Sequence, residues 1–167
     1  MPANLLTARD LPHGAPHDFD FLVGRWTIRH RRLQRRLADC ETWDAFDGTC
    51  ENRPILSGLG NVDDNVLELP TGRYEAIGIR QFDAAARRWS IWWMDARFPG
   101  IEPPVTGGFE DGVGLFYGDD VLDGRPILCR FAWFRADTDT PRWEQAFSLD
   151  GGTTWETNWI MHFERAA

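Results

Sequence analysis

A chain of 167 residues with 43% hydrophobic content is sized for one domain with a substantial core. Its net charge of −8 runs against nucleic acid, whose phosphates need a basic surface, and against docking on an anionic membrane. No apolar stretch approaches the roughly 20 residues of a membrane-spanning helix, and Cys40, Cys50 and Cys129 have neither CxxC nor metal-ligand spacing.

Nine Trp and eleven Phe stand against two Tyr. An indole is large and has one N–H to satisfy, so several of these rings should line a cavity or an interface. Residues 1–17 contain Pro2, Pro12, Gly14 and Pro16 and read as a tail or strap. The absence of an apolar h-region argues against a signal peptide, and a cytoplasmic protein with reduced thiols is expected. Pro16 to Leu22 should form one helical turn, with Asp18 near its N-terminal end.

From Gly24 onward, strand-like segments alternate with turn residues, the spacing of an all-β barrel or sandwich. They run Arg25 to Arg36, Glu41 to Arg53, Ile55 to Asn61, the short Asn65 to Leu69, Arg73 to Phe82 and Arg88 to Asp95. After a Pro-rich loop from Phe98 to Pro104, read as a lid or mouth, come Gly107 to Glu110, Val113 to Gly118 and Pro126 to Arg135. Arg142 to Leu149 and Thr153 to Arg165 form a closing hairpin. The acidic runs Asn61 to Asn65 and Gly118 to Asp120 read as solvated turns, without the ligand spacing of a calcium loop. The expected fold is a single antiparallel up-and-down β-barrel of about ten strands with a short N-terminal helical turn, occupying residues 18–167.

Ser148-Leu149-Asp150-Gly151-Gly152-Thr153-Thr154-Trp155 resembles the Asp-box of sialidase-type propellers. The Asp150 carboxylate can accept backbone N–H groups across the turn, Gly152 supplies permissive dihedrals and Trp155 covers the hairpin. A single copy without blade repeats makes it a hairpin lock. Gly24-Arg25-Trp26 and the turn before it resemble the Gly-x-Trp opening of lipocalins and the wider calycin group, and the chain is similar to bacterial lipocalin-like proteins of this length, more distantly to nitrobindin and the fatty-acid-binding proteins. The resemblance implies that Arg165, late in the last strand, packs over Trp26 and seals the barrel floor. It also implies a small, mostly apolar ligand in the barrel mouth.

Strand alternation puts Trp26, Ile28, His30 and Arg32 on one face of the first strand, and Trp155, Thr157, Trp159, Met161, Phe163 and Arg165 on one face of the last. His162 then points outward. By analogy with nitrobindin it would be a haem ligand, but no HxH or His–carboxylate cluster accompanies it, and no metal or cofactor is expected. Trp89 to Asp95 is apolar on both faces, so Trp92 or Trp93 must face the lumen while the other row meets a partner, expected to be a second copy in a homodimer. Arg80, Arg130, Glu144, Gln145 and Asn158 are polar among apolar neighbours, and Arg130 with Glu144 is the expected internal ion pair.

The expected ligand-binding residues are His30, Arg32, Arg80, Trp93, Arg130, Trp133, Glu144, Asn158 and Trp159, with Gly24, Trp26, Asp150, Gly152, Trp155 and Arg165 structural. Aromatic walls with a few polar groups point to non-covalent binding of a small hydrophobic or amphipathic molecule. The alternatives are a cofactor-free hydratase or cyclase acting on an isoprenoid or polyketide-like substrate, with Glu144 or Asp95 as acid or base, and haem binding through His162. No nucleophile elbow, phosphate loop or dinucleotide fingerprint is present.

Overall fold

The computed structural model describes residues 11–167; the first ten residues of the expected tail, with Pro2, lie outside the described residues. Ten strands follow one another as β1 (Gly24–Leu33), β2 (Trp43–Ile55), β3 (Gly60–Leu69), β4 (Gly72–Asp83), β5 (Arg88–Asp95), β6 (Val105–Glu110), β7 (Val113–Leu122), β8 (Arg125–Phe134), β9 (Arg142–Ser148) and β10 (Glu156–Arg165). Each pairs antiparallel with its sequence neighbours, and β1 pairs with β10 to close the barrel. The described helices are two single 3-10 turns, Asp20–Leu22 before β1 and Leu56–Gly58 before β3.

Alternation along β1 produces the lumen. Trp26, Ile28, His30 and Arg32 are buried, while Arg25, Thr27, Arg29 and Arg31 are exposed. Phe19 and Leu22 from the N-terminal turn plug one end, packed against Trp26, Trp89, Phe116 and Trp133. Residues 11–17 strap this floor: the Gly14 N–H donates to the Arg87 carbonyl and the Trp89 indole donates to the Ala15 carbonyl, 2.8 and 2.9 Å.

The floor is sealed at the strand ends. The Arg165 guanidinium lies 3.8 Å from the Trp26 ring centroid and donates to the Val23 and Phe21 carbonyls at 2.6 and 2.9 Å. The Trp26 indole donates to the Leu22 carbonyl at 2.8 Å. Gly24 sits between these groups with φ of +121°, a conformation that a side chain resists, and a Cβ there would come 2.7 Å from Arg165 Nη1.

At the other end, β1 stops at Leu33 rather than continuing to Arg36. Residues 34–42 bend over the mouth through positive φ at Leu37 and Asp39, and the Leu37 N–H donates to Glu156 Oε1 at 2.7 Å. The β9–β10 hairpin is locked as its motif implies. Asp150 accepts from the Thr154 N–H and hydroxyl at 2.8 and 2.6 Å, and Trp155 donates to the Gly152 carbonyl at 3.0 Å.

The run Asn61 to Asn65, read from sequence as a turn, is the first half of β3, and Gly118 to Asp120 lies within β7. Asn61, Asp63 and Asn65 point inward while Asp64 is exposed and Val62 and Val66 are half-buried on the outer face, so the usual apolar-in pattern is inverted. Strand β10 departs from strict alternation as well. Thr157 pairs with Ala146 and Trp159 with Gln145, so Asn158 is an extra residue in a β-bulge. Trp155 and Thr157 therefore face outward, and Trp159, Met161 and Phe163 face the lumen. The β5–β6 seam is short, pairing only Trp89, Ser90 and Ile91 with Gly107, Thr106 and Val105.

Two outcomes test this closure. Gly24→Ala should destabilise the protein by about 1–3 kcal/mol through backbone strain and displacement of Arg165, read as a melting temperature about 2–4 °C lower per kcal/mol. The Thr154 hydroxyl and N–H hold the Asp150 carboxyl down at about 2. Because that pKa is depressed on folding, the contribution of the carboxylate is present above its ordinary value and is lost as pH falls towards 2. Asp150→Asn should flatten the acid limb of the curve of melting temperature against pH between about pH 4 and pH 2.

Candidate functional site

The lumen holds a cavity of about 300 Å³ that opens between the 34–42 loop and the 96–104 loop. Ile91, Trp93, Phe131, Trp143, Trp159 and Met161 form much of its wall, and Trp133 closes it below, against Phe19 and Phe163. Trp159 meets Trp93 and Trp143 edge-on at 5.9 and 5.4 Å, so the aromatic rows brace one another.

Polar groups enter this apolar wall at two depths. Deep in the lumen, Arg80 donates to Asp63 Oδ2 at 2.5 Å and to Asn61 Oδ1 at 3.0 Å. Asp63 Oδ1 also accepts from Asn65 Nδ2 at 2.5 Å and from the Gly78 N–H at 3.0 Å, while Asn52 bridges Asn61 and Asp63. Gly78 permits this approach, because a Cβ there would fall 2.6 Å from the carboxylate. The result is a buried ion pair whose oxygens are saturated by amides.

Nearer the mouth, Asp95 and Arg97 form a bidentate pair at 2.9 and 2.6 Å, and the Arg97 guanidinium lies 3.7 Å from the Tyr74 ring centroid. Burial acts to raise the Asp95 carboxyl, but the Arg97 hydrogen bonds outweigh it and hold it below the usual carboxylate range. Arg32 donates to the Tyr74 hydroxyl at 2.9 Å and lies over the Phe46 and Trp159 rings. Arg36, on the 34–42 loop, reaches the same cavity.

His30 stands behind this wall, stacked on Phe46 at 4.6 Å, with its Nδ1 accepting from the Trp159 indole at 3.1 Å. Burial, with Arg32 adding to it, pushes the imidazole pKa down to about 3, so the ring is neutral and carries its proton on Nε2. Burial pushes the Cys50 and Cys129 thiols up, which keeps both protonated where they line the lumen.

No protein-family model matches the chain, and no curated protein matches it in sequence. Among solved structures, it is similar to an S-type phycobiliprotein lyase from Guillardia theta, with 11% identity, a TM-score of 0.55, and coverage of 89% of this chain and 90% of that one. The two share a fold. At this identity the likeness speaks for the barrel and for nothing finer.

Within the barrel, the expected site residues divide. Arg32, Arg80, Trp93, Trp133 and Trp159 line the cavity, and His30 lies one layer behind it. Three expectations are corrected. Arg130 and Glu144 face outward, because β8 and β9 turn Cys129, Phe131, Trp143 and Gln145 to the lumen instead. Arg130 stacks on Trp155 at 4.4 Å and Glu144 pairs with Arg142 at 3.3 Å, so the proposed internal pair does not form. Asn158 is fully buried in the wall at the bulge, where its Oδ1 accepts from Gln145, and it does not line the cavity. His162 sits on the outer face opposite Arg29, as alternation predicts.

Sequence reasoning missed Asp63, Asn61 and Asn65, along with the cavity residues Arg36 and Arg97 and the hydroxyl of Tyr74. The signal for the first three was the period of two through Asn61, Asp63, Asn65 and Leu67, hidden by their turn-like composition. Asp63→Ala should cost about 3–5 kcal/mol in urea unfolding by stranding the Arg80 charge. The double variant Asp63→Leu with Arg80→Met should recover most of that loss.

Proposed function

We propose that the protein binds a small hydrophobic or amphipathic molecule, without covalent attachment, in the barrel lumen. The observation that carries this reading is the cavity of about 300 Å³, walled by mutually braced Trp and Phe rings and entered by polar groups at two depths only. Such a pocket removes an apolar ligand from water and fixes its orientation through a few polar contacts. In the deep Arg80–Asp63 pair the charges cancel and amides fill the carboxylate oxygens, which suits a structural role. The mouth is where a polar end would be held.

The hydratase or cyclase reading needs a lumen carboxylate poised as acid or base. Asp95 is held ionised by Arg97 and Glu144 lies on the outer wall, so neither supports it. Haem ligation through His162 is opposed by that residue's position on the outer face.

The neutral dye N-phenylnaphthylamine should bind saturably, one molecule per chain, with an enhanced emission. Trp93→Ala, at a half-buried wall position, should weaken the dye about tenfold, equivalent to about 1.4 kcal/mol, with an unchanged far-ultraviolet spectrum. A titration without saturation would sink the lumen-binding reading.

A further inference from the structure

Four arginines reach the cavity: Arg32, Arg36, Arg80 and Arg97. Arg80 is neutralised by Asp63 at 2.5 Å and Arg97 by Asp95 at 2.6 Å. Among the described residues, no carboxylate oxygen lies within 4.0 Å of the Arg32 or Arg36 nitrogens. Glu102, Asp119 and Asp120 also line the cavity at its rim, beyond that distance from both guanidiniums. The two cations at the mouth therefore lack a contact counter-ion.

Arg32 is 8% exposed, and its hydrogen bond to the Tyr74 hydroxyl uses Nη1 alone. Its faces are covered by Phe46 and Trp159, with ring centroids at 5.5 and 5.0 Å, so the remaining donors at the edge of the guanidinium have no protein acceptor. Arg36 is held over the same opening by the 34–42 loop, which Glu156 anchors at Leu37, and its buried Nε has no hydrogen-bond partner. Burial, and then the nearby Arg32, act against the charge on Arg36, and the rim carboxylate of Glu102 offsets them only in part. A guanidinium this buried is costly without a counter-charge, and an Arg fork is shaped for two oxygens of one anion.

We propose that the lumen ligand is an amphipathic organic anion, its oxyanion head held between Arg32, Arg36 and the Tyr74 hydroxyl and its apolar body against Trp93 and Trp159. This rests on the lumen-binding reading and adds the ligand's charge and direction. The head lies at the mouth and the body points inward, because the deep arginine is already neutralised. A neutral ligand leaves both guanidiniums without a contact counter-ion, since Glu102, Asp119 and Asp120 stay beyond 4.0 Å.

The test compares two dyes with the same skeleton, anilinonaphthalene sulfonate and neutral N-phenylnaphthylamine. The sulfonate should bind about tenfold tighter or better. Arg32→Met and Arg36→Met should each abolish most of that preference, read as the ratio of the two dyes' affinities in the same variant. Arg36 lies outside the sheet, so its variant decides the question even where Arg32→Met impairs folding. Saturable neutral-dye binding with no preference for the sulfonate would overturn the anion assignment and leave the lumen reading standing. Absence of binding by either dye would overturn both. A preference that survives in Arg36→Met and in every folded Arg32 variant would overturn the assignment of the head to this pair.

Discussion

A meander of strands has two open edges until its ends meet, and here they meet where Arg165 lies over Trp26. That contact sets the register of β1 against β10, Trp26 opposite Arg165 and His30 opposite Met161. The inward row of β1, and that of β10 from Trp159 to Arg165, goes with this register. A slip by one residue would turn Arg32 and His30 to solvent and bring Arg31 and Arg29 inside. The stacked guanidinium, its two bonds to the carbonyls of the entry turn and the glycine that makes room for it act as one unit, joining residues far apart in the chain.

With the floor sealed, the lumen becomes electrostatically graded. Below, a carboxylate and a guanidinium pair among three asparagine amides, with the Asp63 oxygens filled and Arg80 Nε and Asn52 Oδ1 buried without a partner. The middle is aromatic, and its edge-on tryptophans resist collapse into the empty space. Above, Asp95 compensates Arg97 in direct contact, while Arg32 and Arg36 meet the carboxylates of the rim, Glu102, Asp119 and Asp120, only at a distance. The gradient does not come from composition, since the protein as a whole is acidic. It comes from which side of each strand a residue occupies.

Much of this was legible in the residues. Gly24, Trp26 and Arg165 mark the two ends, the turns delimit most strands, and period-two alternation along β1 assigns its lumen residues correctly. Three failures share a cause, which is that alternation is a rule about geometry and was read through polarity. Strand β3 faces the lumen with Asn and Asp, so its inner row resembled a turn. In β8 and β9, Arg130 and Glu144 stand mid-strand among apolar neighbours that include outward Ala132 and Ala146, so polarity alone did not tell inside from outside. In β10 the bulge at Asn158 reverses the phase once, and a single unpaired residue leaves no mark in composition.

The seam between β5 and β6 gives the barrel an unequal wall. Beyond Ile91, strand β5 stays paired with β4 but no longer with β6, and the Glu102 N–H on the Trp93 carbonyl, 3.0 Å, is a backbone bond tying its upper part to the following loop. Opening the wall there disrupts a short stretch of pairing beside Trp93 and leaves the continuous ladders of β1 to β4 intact. The circumference is therefore held by long ladders on one side and by three paired residues on the other, so its backbone bonding is least dense beside Trp93.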